Sequence, residues 1–560
     1  MSKKNVQWLT VLLAGMMAVP FAGAFAGCAS SSSSNEEIDA TKTQIWVDHY
    51  NGGVGNAWFA PLKARFEAAY ADYKLGDKVG VQVLKSDHKN EGSQQIDGVT
   101  SSKMDIYFAE KFYYYEGISK GVFLDITDVV TEENSDGKTI LSKFNPEQQS
   151  FYSYNDKYYA IPHYSYYGGL VYNVDVFEDN LLYFSNNSAI NGGFITSLTA
   201  TRSLGPDGKT GVIDGVDYTV DDGLPATYEE FFKLCDRMVD CDVIPFTWSG
   251  QYGKAYFTSV LSRLLMGFEG REQTMLNMTF DGVAEHLVDT ITEDGEVIYR
   301  EPTVITPENG YEIFTSAGRY WALKFGEQLF SKRDYYDFEK VASDTDSHTD
   351  AQTRFILSNY DPAQKPIAML VEGTYWDNEA ADVGAFNALE SIYKVSRQDT
   401  RFGFMPMPKV DETHIGEKDV LSDNAFTLAF INANVAERCP EKIEILKEFM
   451  KFAHTDESLR EYTVKTNSFK ALNYELEESD KTHLTYFTKS LSDLLERSDI
   501  VYQVSTTQKF IDNQSKLKLG NGFTVNNYQF PMNGLKDGVS AADYFKQIKS
   551  YYNATYWATM

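Results

Sequence analysis

The stretch "TQIWVDHYNGGVGNAWFAPLKARFEAAYADY", residues 43–73, decides the fold class. "TQIWVDHY" reads as a β-strand, and "NGGVGN" is a glycine-rich turn. The segment after it places Trp58, Leu62, Phe66, Ala69 and Tyr70 at helical spacing. Two further strand patterns follow, "GVQVLKS" (80–86) and "MDIYFA" (104–109), the second leading into a helical "KFYYYEGISKG". Strand–helix–strand alternation argues an α/β fold with parallel strands and crossover helices. In such sheets the loops beyond the carboxyl ends of the strands bind ligands. Asp48, Asn56 and Glu110 stand at such ends.

The same mixture continues along the chain. "NDKYYAIPHYSYYGGLVYNVDVFED" (155–179) holds two extended segments around Tyr164, Tyr166 and Tyr167. "TYEEFFKLCDRMVD" (227–240) is a helix with Thr227 and Glu230 in capping-box spacing. "CDVIPFTWSGQYG" (241–253) is a strand that emerges at Trp248 and Tyr252. "PIAMLVEGTYWDNEA" (366–380) is a buried strand, then Glu372, then a helix start carrying Trp376. "SDNAFTLAFINANV" (422–435) reads as a single strand, and a pair of amphipathic helices follows, broken at Thr466–Ser468. Residues 185–226 are loop-rich and acidic, but the spacing of a calcium-binding loop is absent.

The 560-residue length suffices for two or more domains, and the net charge is −29. That balance argues against nucleic acid or an anionic membrane surface as partner and allows a neutral or cationic ligand. Aromatic residues make up 14% of the chain, more than cores usually need. No zinc-type spacing appears, so no metal or other cofactor is expected. Cys235, Cys241 and Cys439 cannot all pair within one chain and are read as free thiols.

The N-terminus carries Lys3 and Lys4, an apolar run, and "FAGC" ending on Cys28 before a serine-rich stretch. That order describes a secretory leader over residues 1–27. "FAGC" resembles a bacterial lipobox, with Phe25 in place of the usual leucine. The resemblance implies lipidation at Cys28 and a flexible tether over 28–42. An uncleaved membrane anchor is the competing reading of the same apolar run.

Five stretches in one order resemble the maltose-binding-protein-like solute-binding proteins of carbohydrate ABC importers. They are the strand, loop and helix closing on "GVFLDIT" (121–127), then "YNDKYYAIPHYSYYGGLVYNVDVF", "KPIAMLVEGTYW", "FGFMPMP" and "EILKEFMKFAHTDESLREYTVKTNSFKA". They span about residues 43–475. Here "NSF" stands near residue 468, where the family often has proline. The chain also carries extra material around 185–226, 270–360 and in the tail.

The resemblance implies two α/β lobes joined by crossing strands near Tyr164–Gly168, near Leu421–Asn424 and past Tyr474. Lobe one would comprise 43–164 with 424–475, and lobe two 168–421 with 480–560. It further implies no enzymatic activity, a monomer outside the cytoplasm at the cell-membrane surface, and delivery to a permease. The expected ligand is a carbohydrate, in particular an oligosaccharide. Sugar recognition needs rings to stack on C–H faces and planar polar groups for hydroxyls. The candidates are Asp48, Asn56, Trp58, Glu110, Tyr113, Tyr164, Tyr166, Trp248, Tyr252, Glu372, Trp376, Asn424 and Asn467, with Trp248 and Trp376 as the principal stacking rings. Two alternatives stay open. One is a receptor for a peptide or polyamine. The other is a glycoside hydrolase pairing Glu110 with Glu372 or Asp48.

Overall fold

The computed structural model describes residues 36–88, 93–423 and 426–560. Cys28, the leader and most of the tether therefore lie outside the described residues, as does Asn424. In chain order, the strands that position the site are β1 (Thr43–Tyr50), β2 (Val81–His88), β3 (Ile106–Ala109), β4 (Ile161–Pro162), β5 (Gly168–Asn173), β6 (Ile244–Thr247), β7 (Ile367–Gly373), β8 (Phe402–Phe404), β9 (Val420–Asp423), β10 (Leu428–Ile431) and β11 (Asp499–Tyr502). The helices are α1 (Phe59–Ala69), α2 (Tyr114–Ser119), α3 (Pro146–Tyr152), α4 (Gly253–Thr279), α5 (His348–Ser358), α6 (Trp376–Asp382), α7 (Asp456–Thr466) and α8 (Tyr486–Arg497).

Among the described residues two larger sheets form, one per lobe, beside five two-stranded ribbons. The first runs β2-β1-β3-β10-β4, and the second runs β6-β7-β5-β8. The β1 pairings with β2 and β3 are parallel, as strand–helix–strand alternation requires. The sheets are nevertheless mixed. β10 runs antiparallel to β3 and β4, and β5 runs antiparallel to β7 and β8. Strands that arrive from a distant part of the chain need no right-handed crossover, so their direction is free. The stretch 422–435, read as one strand, divides into β9 and β10.

Each lobe buries its own core. In lobe one, Ile45, Val47, Phe66, Ile106, Leu428 and Phe430 pack together. In lobe two the second sheet is covered by a large aromatic cluster that includes Phe231, Phe246, Phe257 and Phe325. A satellite core gathers Phe355, Phe402 and Phe487 around the other face.

Three segments pass between the lobes and are bonded to one another. Ser165 Oγ donates to Asp423 at 2.6 Å, tying the first passage to the second. The Ser165 amide donates to the Phe469 carbonyl at 3.0 Å, tying it to the stretch that leads into the third. β9 and β11 form a two-stranded parallel ribbon beside these passages. Hydrogen-bonded crossings of this kind leave few backbone angles to absorb a lobe rotation, which is how hinges work.

The acidic loop has found a cation within the chain. Arg497 donates to Asp207 at 2.8 Å and to Asp221 at 2.6 Å, and Asp221 is buried. A guanidinium thus fills the place considered for calcium. Among the described residues no cluster of metal-ligating side chains occurs.

Candidate functional site

The lobes meet at the turn after β1. Gly52 and Gly53 pass between two carboxylates from opposite sides. A Cβ at Gly52 would stand 1.8 Å from Glu110 Oε2. One at Gly53, where φ is +108°, would stand 2.7 Å from Glu379 Oε1. At Gly53 the backbone conformation itself favours glycine, and at either position a Cβ would have to displace the carboxylate. Asn378 of α6 donates to the Val54 carbonyl at 3.3 Å and to the Thr466 carbonyl. Lobe two therefore touches lobe one through α6, directly beyond β7.

The groups around this contact are carboxylates, an amide and tyrosines. Tyr164 donates to Glu110 at 2.5 Å. Gln352 on α5 donates to Glu372 at 3.0 Å and to Glu379 at 2.8 Å. Its own amide oxygen is buried with no hydrogen-bond partner. Burial, followed by the neighbouring Glu379 charge, pushes Glu372 well above the usual carboxylate range. Glu379 is pushed up to about 7, chiefly by burial, with the charges of Glu110 and Asp382 adding to it. Both shifts favour the protonated form, as like charges in a shared buried site do. Tyr166 reaches from the first crossing to within 6.0 Å of the Tyr375 ring, edge to face. Tyr252 stacks on Tyr256 at 6.3 Å and is 44% exposed. A cavity of about 200 Å³ lies beside the crossings, lined in part by Gly168, Ala255, Ser422, Gln503 and Lys518.

The expected residues divide into those at the lobe contact and those in the cores. Glu110, Tyr166, Tyr252 and Glu372 surround the contact or its edge, whereas Tyr164 is buried in the lobe-one core and reaches the contact only through its hydroxyl on Glu110. Tyr113 lies farther along the seam, 5.5 Å from the Phe426 ring and 5.4 Å from Lys518 Nζ. Trp248 and Trp376 do not fit the stacking role expected of them. Both are 0% exposed. Trp248 packs on Tyr336 at 5.3 Å, and Trp376 packs on Phe402 at 5.2 Å and Phe487 at 5.5 Å. Trp58 is likewise core, edge to face with Phe108 at 5.1 Å.

Asp48 is buried on β1 opposite Tyr107, inside lobe one. Asn56 pairs with His49 Nδ1 at 3.0 Å and pins the turn. Asn467 sits at φ 49° past the end of α7 and accepts from the Thr485 amide at 3.0 Å, so it joins two helices. Tyr375, Tyr256, Gln352 and Glu379 were not foreseen. For Tyr375 the signal lay beside Trp376. Adjacent residues at a strand-to-helix turn face different ways, so burying one aromatic presents the other.

No protein-family model matches the chain, and no curated protein matches it. Solved structures do. A chitin oligosaccharide binding protein matches at 13% identity with a TM-score of 0.50, covering 91% of this chain and 99% of its own. A probable secreted solute-binding lipoprotein from Streptomyces coelicolor matches at 12% identity and a TM-score of 0.52, covering 92% of this chain and 99% of its own. RafE, also solved in complex with raffinose, matches in that form at 12% identity and a TM-score of 0.50, covering 91% of this chain and 100% of its own. The chain has the two-lobed fold of solute-binding proteins. In that fold the contact between Gly52–Gly53 and α6 closes the cleft between the lobes.

Proposed function

We propose that the protein is an extracytoplasmic receptor that captures a carbohydrate between its lobes and hands it to an ABC permease. The observation that carries this reading is the lobe contact, where Tyr166 and Tyr375 stand beside Glu110, Glu372, Glu379 and Gln352. Rings offer C–H faces a surface, and carboxylates and amides bind hydroxyls. The solved structures named for chitin oligosaccharide and raffinose binding support a sugar over other small solutes. They are binding proteins, which supports a receptor over a hydrolase. A lipid on Cys28 would tether the body to the outer face of the membrane.

A thermal-shift screen of sugars, amino acids and polyamines on the purified mature chain tests this. A ligand that binds only the folded state at a hundredfold its Kd adds about 2.7 kcal/mol of stability. A carbohydrate is expected to raise the melting temperature by several degrees. A shift with polyamines alone, or release of reducing sugar from the ligand, overturns the proposal. For the anchor, Cys28→Ser is expected to move the protein from the membrane fraction to the soluble one. Unchanged membrane retention would contradict lipidation.

A further inference from the structure

A second cavity lies along the same seam, away from Glu372 and Glu379. It measures about 770 Å³, within the range of small-molecule sites. One wall is lobe one: α2 and the turn at Ser153–Asn155. The other is the stretch Thr506–Ser515 near the C-terminus, whose Phe510 is anchored in the lobe-two core. The groove therefore exists only because the tail folds back beside lobe one.

Its lining has the chemistry of a carbohydrate surface. α2 buries Tyr114 and leaves Tyr113 and Tyr115 half-buried at the groove. Tyr115 is fixed by donating to the Phe151 carbonyl at 3.0 Å, and its ring meets Tyr154 edge to face at 5.9 Å. Tyr154 is 37% exposed, a flat ring open to the groove. Opposite stand planar polar side chains, among them Gln508, which donates to Asp512 at 2.7 Å, and Gln514. Rings held rigidly in the unbound protein lose little entropy when a sugar stacks on them.

Charge narrows the ligand. Among the described residues that line the groove there is no lysine, arginine or histidine, while Glu116 and Asp512 are acidic. Glu116 is paired with Lys120 at 3.0 Å. Uronates and phosphorylated sugars would meet the Asp512 carboxylate, and no lining residue is a cation that would pair with them. Tyr113, which lines the groove, lies three residues along the chain from Glu110 at the lobe contact. Its ring lies beside Phe426 and Lys518, and Lys518 also lines the smaller cavity at the hinge.

We infer that this groove is an outer subsite for a neutral glycan chain, taking the sugar units that extend beyond those held at the lobe contact. The inference rests on the carbohydrate-receptor reading and deepens it. The test is calorimetric titration of the mature chain with neutral chito-, xylo- and malto-oligosaccharides, from mono- to hexasaccharide. The variants are Tyr154→Ala and, as a second exposed position, Gln508→Ala. In the wild type, affinity is expected to rise at least tenfold from disaccharide to the longer members of the series that binds. Each variant is expected to lose most of that rise and to bind the disaccharide as the wild type does. Affinity independent of chain length overturns the inference and leaves the receptor reading intact. So does an equal loss for short and long ligands, or no loss for either variant. Binding of none of these glycans, with a non-sugar bound instead, overturns both.

Discussion

Trp376→Ala is expected to destabilise the apo protein by about 3–5 kcal/mol, the usual cost of truncating a large buried aromatic. Its indole fills the space between Phe355, Phe402 and Phe487 and has no exposed surface. Removing it empties a site bounded by β8 and α8, which cannot collapse without moving the second sheet. Tyr375→Ala, one residue away, is expected to behave in the opposite way. Tyr375 is half-buried and faces Tyr166 across the crossing segment. Its loss should cost about 1 kcal/mol of apo stability, near the centre of the range for single substitutions. Ligand affinity should fall thirtyfold or more, about 2 kcal/mol, as for the anchoring rings of other interfaces. Denaturant melts and calorimetric titration with the ligand from the screen separate the two. A Trp376→Ala protein of unchanged apo stability that no longer binds ligand would reverse the assignment.

Acid is expected to unfold lobe one through buried histidines. His454 donates from Nδ1 to the Met450 carbonyl at 2.7 Å, and its Nε2 is buried with no hydrogen-bond partner. A second proton there would be a buried charge without an acceptor. Burial, and then the nearby Lys470 charge, push its pKa down to about 3. His163 is held well below its ordinary value by burial and by Lys470. Lys470 itself is buried against the rings of Tyr462, Trp58 and Phe108, with Nζ 2.8 Å from His163 Nδ1.

The sign follows from which state takes the proton first. Below pH 6.5 the unfolded chain protonates these histidines and the folded chain does not. Their stabilising effect is therefore complete above pH 6.5 and is lost as pH falls toward 3, at about 1.4 kcal/mol per pH unit per residue. Glu379 acts in the other direction. With a folded pKa of about 7 against an ordinary 4.5, it favours the folded state less and less as pH rises through that window. Between pH 4.5 and 6.5 the two slopes oppose; below 4.5 Glu379 no longer contributes, and paired carboxylates held low, such as Asp136 and Asp456, add to the histidines' acid limb. His454→Gln is expected to flatten the acid limb of a stability–pH profile, so that its difference from wild type shrinks by about 1.4 kcal/mol per pH unit. A constant difference across pH would show that His454 is not a buried neutral ring.

Much of the lobe-one frame was legible because its signals are local. "TQIWVDHY" is the strand Thr43–Tyr50, and the helical spacing of Leu62 and Phe66 is the buried face of α1. The glycine turn between them was also legible as a turn. That it would pass between Glu110 and Glu379 was not, because Glu379 is more than 300 positions away and its approach depends on how the lobes pack. Trp248 and Trp376 were misassigned for a related reason. A tryptophan at a strand end looks the same whether it points into a cleft or into a core. The direction is set by the helices that cover the sheet, here α4 and α8, and those come from other parts of the chain.

The sequence by itself determined the period of each strand and helix, and hence the α/β class. It also placed carboxylates and aromatics at strand ends, since these patterns depend only on neighbours along the chain. Tertiary structure decided which of those groups meet. It buried Trp376 and presented Tyr375. It set Gln352 between two glutamates, and it folded the tail beside Tyr115 and Tyr154 to make a groove. Those outcomes depend on close packing between distant segments, where displacing one side chain by an ångström exchanges a buried ring for an exposed one.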